Sequence, residues 1–227
     1  LNFNVLALEV DFSKALTVNE YILGKRNDGE DALKGLEFFH CVNQETLTLI
    51  NWMREYNSQA SNEKKIKFYG FDFFDVKTSL DRIHEFFTQV DADFAGKLKK
   101  IETIKSPHLF TAPYVKKDDI ELIEKKLNAD SLTYVQNSSQ KAWQLTKHLV
   151  TILKYAIIIN SEGKEEIRDS LMKKNIDWII NFEGRDTKIM LWAHNAHVEY
   201  ATMFNCNFDK QFKMMGLLLK ETYKDQL

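Results

Sequence analysis

The stretch IMLWAHNAHVEYA (residues 189–201) begins as a run of apolar residues and turns at once into Ala-His-Asn-Ala-His. Four consecutive apolar residues after the polar segment NFEGRD (181–186) read as a short buried strand. Two of the chain's six histidines, His194 and His197, then sit three residues apart at its end. Two further runs have the same form, FNVLALEV (3–10) and IKFYGFDF (66–73). Short continuous apolar runs between long helical stretches predict parallel strands covered on both faces. The expected fold is therefore α/β, a parallel sheet core flanked by helices, with a largely helical lobe.

The helical stretches carry their own periodicity. NQETLTLINWMREYN (43–57) spaces Leu49, Ile50, Met53 and Tyr56 as a helix does. Residues 131–160 form the longest periodic run, with Trp143, Leu149, Val150, Leu153 and Ile157 along one face. KEEIRDSLMKKNIDWIINF (164–182) aligns Ile167, Leu171, Trp178 and Ile179, and MMGLLLKETY (214–223) predicts a last helix. Both prolines fall in TIKSPHLFTAPYVKKDD (103–119), which marks a connection between core and helical excursion. The domain organisation expected is a single domain over 1–227, with the α/β core in 1–104 and 161–227 and the helical excursion in 105–160.

Composition excludes several classes of function. A net charge of -2 gives no general attraction to nucleic acid or to an anionic membrane. The greasiest segment, HLVTILKYAIIIN (148–160), is interrupted by Lys154 and is shorter than the roughly 20 residues of a membrane span, so it reads as a buried helix. Cys41 and Cys206 form neither a disulfide framework nor a zinc motif, which makes a reducing cytoplasm the expected location. The chain lacks an initiating methionine and opens on a core strand, so residues are expected upstream of Leu1.

Each apolar run ends in a residue able to do chemistry. The first ends at Glu9 with Asp11 beyond it, the second at Asp72 with Asp75 beyond it, and the third at His194 and His197. Ligands of open α/β sheets bind outside the carboxyl ends of the strands, so parallel neighbours would bring these groups to one cleft. The plainer alternative for Asp11, Asp72 and Asp75 is a helix cap or turn. Glu is a poorer cap, and within LALEV a carboxylate is partly buried and needs a partner. Asn195 suits a strand-to-helix turn, where it can cap. His40, His84, His108 and His148 lie in helical or loop contexts that give them no role. The chemistry admits two readings: a His-x-x-His metal site with nearby carboxylates, or metal-free hydrolysis in which a polarised imidazole activates water. No Gly-x-Ser-x-Gly nucleophile motif is present, which favours direct attack by water.

These residues resemble a known family. LWAHNAHV (191–198) is similar to the Trp-Ala-His-Asn-Ala-His signature of the erythromycin esterase family, which also includes proteins labelled succinoglycan biosynthesis proteins. Further matches follow in family order: Glu9 with Val18, Asn19 and Tyr21; Trp52, Arg54, Tyr56 and Asn57; Gly70 and Asp72; Arg168, Asp169, Met172 and Asn175; Met215, Gly216 and Leu219. The family's Gly-Glu-x-x-His-Gly type motif, whose histidine is taken as the general base, is absent from this chain and is expected upstream of it. The resemblance implies hydrolysis of a small-molecule ester or lactone by activated water, with no cofactor and no obligatory metal. It implies catalytic roles for Glu9, His194, His197 and Arg168, and cleft positions for Asp72, Arg54, Asn195 and Asp169. Arg168 would bind a carboxylate or the tetrahedral intermediate; its plainer alternative is a surface ion pair with Asp169 or Glu165. For Arg54 that alternative is a snorkelling surface arginine. A metal-dependent hydrolase and a non-catalytic binding protein on the same scaffold stand as the competing readings.

Overall fold

A computed structural model describes residues 3–37, 40–105, 113–161, 164, 167–184, 186–205 and 210–226. It divides into two compact units, Leu1–Asp72 with Glu166–Leu227, and Phe73–Glu165. Residues 106–112 of the sequence-predicted connection at 103–119 fall outside the described residues, as do His108 and Cys206.

The first unit starts with β1 (Val5–Asp11), α1 (Phe12–Ile22), α2 (Gly29–Lys34), α3 (Gln44–Gln59) and β2 (Lys67–Asp72). The second is helical: α4 (Val76–Val90), α5 (Ala92–Leu98), α6 (Lys117–Ala129), α7 (Ser131–Asn137) and α8 (Gln140–Asn160). The first unit then resumes with α9 (Arg168–Glu183), β3 (Ile189–Trp192), the one-turn α10 (Asn195–Val198), β4 (Thr202–Asn205), β5 (Lys210–Lys213) and α11 (Met215–Tyr223). The three expected strands form one parallel sheet in the order β2-β1-β3. A second sheet, the antiparallel pair β4-β5, was not foreseen.

β1 is central, and Val5, Ala7, Leu8 and Val10 are buried. Leu8 and Val10 enter a cluster with Val18 and Ile22 of α1 and with Ile50 and Met53 of α3. Phe12 packs edge-on against Trp178 of α9. β2 is covered as the sequence predicts, and asparagines satisfy backbone groups around it. Phe68 N–H donates to Asn19 Oδ1 at 3.0 Å. Asn57 accepts from Ile66 N–H at 2.7 Å and donates to the carbonyls of Ile22 and Ile66. These contacts account for two polar residues of the family-like segments in structural terms.

Three expectations need correction. β3 is not covered on both faces: it pairs only with β1 among the described residues, and Met190 and Trp192 are about half exposed. The run 131–160 is two helices, because Ser139 leaves the helix and caps α8 by accepting from Ala142 N–H at 3.1 Å. On α3 the buried face carries Ile50, Met53 and Asn57, whereas Leu49 and Tyr56 are exposed. Among the described residues no helix is long and apolar enough to cross a membrane.

Candidate active site

The end of β1 is shaped by its neighbour. Pairing with β2 is regular up to Leu8–Gly70, and the next pair is Asp11–Asp72, so β1 spends one residue more than β2 over the same step. This bulge, at Glu9 and Val10, re-aims the strand end. Its carbonyls press on Gly70, where a Cβ would overlap the Val10 oxygen and lie 2.6 Å from that of Asp11. Asp11 then caps α1, accepting from Ser13 N–H at 2.9 Å and Lys14 N–H at 3.1 Å. Asp75 caps α4 in the same manner, accepting from Thr78 N–H at 2.7 Å. Asp72, at the end of β2, is buried.

Its partner is Arg168, the first residue of α9. Arg168 Nη2 donates to Asp72 Oδ2 at 2.5 Å and to Glu9 Oε1 at 3.0 Å, and Nε reaches Asp72 Oδ1 at 3.4 Å. One guanidinium thus bridges the ends of two parallel strands, a geometry a lysine ammonium cannot match. Burial pulls the Arg168 pKa down, but the charges and hydrogen bonds of Asp72 and Glu9 outweigh it and hold the pKa above the ordinary arginine value. The other oxygen of Glu9, Oε2, accepts the backbone N–H of His194 at 2.8 Å. Glu9 therefore ties the end of β1 both to α9 and to the segment after β3.

That segment turns through His194, which caps α10: its Nδ1 accepts from Ala196 N–H at 3.2 Å. Asn195 is the first helical residue and not the cap, because the turn comes one residue earlier than expected. His197 points back toward α9. Its Nδ1 lies 2.9 and 3.0 Å from the two oxygens of Asp169, and its Nε2 lies 3.1 Å from Arg168 Nη1 and 3.4 Å from Glu9 Oε1. Asp169 is buried and also accepts from Met215 N–H at 2.8 Å, at the start of α11. The hydrogen bond to Asp169 raises the His197 pKa; burial and the Arg168 charge oppose it, and the Asp169 and Glu9 charges add to it. α11 approaches α10 so closely that a Cβ at Gly216 would overlap the Val198 carbonyl oxygen.

A cavity of about 430 Å³ lies over this network, lined by Glu9, His40, Cys41, Trp192, Ala193, His194 and His197. Of these, His40 and Cys41 carried no functional signal in the sequence. His40 lies in a turn rather than a helix, and Cys41 precedes the start of α3 by three residues, in no motif. Burial, with a smaller contribution from the Glu9 charge, pushes the Cys41 thiol up to about 11. It therefore stays protonated near neutrality and is a poor nucleophile.

The structure brings together Glu9, Asp72, Arg168, Asp169 and His197 through side chains, and His194 through its peptide N–H. Arg54 lies elsewhere. It sits over the Tyr21 ring at 4.6 Å and donates to the carbonyls of Tyr21 and Arg26, at and beyond the C-terminal end of α1. Asn195 is exposed. Among the described residues, no three His, Cys, Asp or Glu side chains are placed to hold a metal ion.

Comparison with known proteins agrees with this architecture. The family model described as erythromycin esterase matches residues 1–227. An erythromycin esterase type II of Escherichia coli is 22% identical over 229 residues, covering 88% of this chain and 54% of that protein. The chain thus spans about half the length of this curated relative. A crystal structure of a Bacillus cereus protein superposes with a TM-score of 0.70 at 20% identity, over 99% of this chain and 56% of the other. A succinoglycan biosynthesis protein gives 0.59 at 21% identity, over 99% and 56%. A mutant erythromycin esterase in an open conformation gives 0.62 at 15%, over 99% and 60%.

Proposed function

The chain belongs to the erythromycin esterase family, and on that premise we propose that it contributes the strand-end half of a hydrolase site that cleaves a small-molecule ester or lactone with an activated water. In this reaction water oxygen bonds to the carbonyl carbon, the bond to the alcohol oxygen breaks, and the proton taken from water ends on the departing alcohol. No acyl-enzyme is invoked and no metal is required.

One observation carries the reading. The Glu9 carboxylate holds Arg168 with one oxygen and the His194 peptide N–H with the other, beneath a cavity that both histidines line. A carboxylate fixed by these two donors at the edge of a small cavity is suited to hold and polarise an attacking water, and the His194 ring beside it is placed to donate to the developing oxyanion. Arg168, engaged by two carboxylates and His197, orients this floor. The protonated Cys41 and the absence of a Gly-x-Ser-x-Gly motif support attack by water over attack by a protein nucleophile.

The test is a screen of the purified full-length protein against 4-nitrophenyl esters, acylated sugars and macrolides, with and without a chelator. Hydrolysis that survives chelation and falls about 100-fold or more in Glu9→Gln is the expected result. Activity lost on chelation and restored by a divalent ion would replace this reading with metal-dependent hydrolysis. A protein that turns over none of these esters yet binds them would be a binding protein on this scaffold.

A further inference from the structure

The two imidazoles of the His-Asn-Ala-His box are held by opposite kinds of partner. We propose that they carry different protons and do different work: His194 offers its Nε2–H to the carbonyl oxygen under attack, whereas His197 is a positioning residue locked as its Nδ1–H tautomer between Asp169 and Arg168. The tautomers follow from the hydrogen bonds alone; the role of His194 rests on the hydrolase reading above.

A peptide N–H only donates, so the His194 Nδ1 facing Ala196 N–H must present its lone pair. The neutral ring then carries its proton on Nε2. His194 is exposed and lines the cavity, and among the described residues no hydrogen-bond partner faces that nitrogen. A donor fixed at the edge of a cavity, with no acceptor of its own, is suited to a developing oxyanion. To act as a base at Nε2, His194 would have to carry its proton on Nδ1, pointing at the Ala196 N–H.

His197 faces the reverse arrangement. A carboxylate only accepts and a guanidinium only donates. Asp169 therefore fixes the proton on Nδ1, and Arg168 Nη1 occupies the lone pair on Nε2. Neither nitrogen is left for water. The two gripping residues are consecutive in the first turn of α9, and the Met215 N–H holds Asp169 from the other side. His197 thus anchors α10, and with it the His194 ring and peptide N–H. Four charged groups surround the ring: Arg168 and Asp169 from α9, Glu9 from β1 and, through Arg168, Asp72 from β2. Protonation would turn Nε2–H away from Arg168 toward Glu9 Oε1, so the lock belongs to the neutral ring.

The full-length protein labelled with 15N-histidine reports both tautomers directly by long-range 1H–15N correlation above the His197 pKa, the two rings being assigned by single substitution. The expected spectrum shows His194 protonated at Nε2 and His197 at Nδ1. Asp169→Asn should mix the His197 tautomers and lower its titration midpoint, with His194 unchanged. A purely structural Asp169 would leave both midpoint and tautomer in place. In the kinetic arm, with 4-nitrophenyl acetate, Gln places an amide nitrogen where Nε2 stood and Asn places one where Nδ1 stood. His194→Gln should keep turnover within about 10-fold of the parent, and His194→Asn should lose about 100-fold or more, the size expected for a lost oxyanion donor. A His194 proton on Nδ1, or an Asn variant more active than the Gln variant, overturns the inference. A parent protein that hydrolyses no ester overturns the hydrolase reading and the donor role with it, while the spectrum still decides the tautomers.

Discussion

Arg168 stands between two carboxylates that come from different strands, and its removal would leave both without their cation. Asp72 and Glu9 side chains are 8% and 12% exposed, so neither can recover full hydration. Arg168→Met should therefore lower unfolding stability by about 3 kcal/mol in urea titration, the usual cost of breaking one side of a buried pair. Arg168→Lys should recover only part of this, since one ammonium cannot span Glu9, Asp72 and His197 together. This contact was half legible in the sequence. Helical periodicity placed Arg168 and Asp169 on a helix and left open whether they pair with each other or reach outward. The partners of Arg168 lie 96 and 159 residues away along the chain, a distance no local pattern encodes. Glu9 was easier to single out, because a carboxylate flanked by apolar residues needs a partner wherever it ends up. Cys41 and His40 gave no signal, since lining a cavity demands no particular residue type.

α10 is one turn long and cannot hold itself, so its place is set by what packs on it. α11 packs there through Gly216, and the missing side chain is what permits the approach. Gly216→Ala must push α11 away from the Val198 and Glu199 carbonyls. That displacement carries Met215 N–H off Asp169, and Asp169 is the residue that holds His197. We expect a loss of about 2 kcal/mol, several degrees in Tm for a chain of this size, together with a perturbed His197 resonance. Gly70→Ala, which crowds the bulge at Glu9, should also cost stability, but it should disturb the Glu9 contacts first and leave the Asp169–Met215 bond intact. The glycines are visible in the sequence; the close approaches that require them are not. The three parallel strands were legible because each is an apolar run bounded by polar residues. The exposure of β3 was not, because an apolar run looks the same at the edge of a sheet as at its centre. The β4-β5 pair was missed for a related reason: four residues per strand are too few to show an alternation.

Across the molecule, the parallel order of the sheet gathers groups that the chain keeps far apart, and a whole helical unit is inserted between Asp72 and α9. The pattern of strand ends predicted that Glu9 and the histidine box would meet, and the 2.8 Å contact from His194 N–H to Glu9 is that meeting. Which imidazole faces which charge depends on side-chain direction and lies beyond any spacing rule. Its consequence reaches the stability of the whole fold. Asp169 raises the His197 pKa in the folded protein above its ordinary value near 6.5, so between the two values the native state binds more proton than the unfolded chain. Stability then falls as pH rises. The stabilisation linked to His197 is complete below the unfolded pKa of about 6.5 and is lost as pH climbs through the higher folded value. Urea denaturation at closely spaced pH values from slightly acid to mildly alkaline should show this decline. The difference between the parent protein and His197→Gln isolates it from other titrating groups. That difference should shrink with rising pH and level off once the ring is neutral in both states. Asp169→Asn should flatten the slope in the same window, because it removes the first cause of the shift. A parent-minus-variant difference that stays constant through the window, or grows with pH, would mean that Asp169 does not favour the charged ring and that the Arg168 cation dominates the electrostatics of the site.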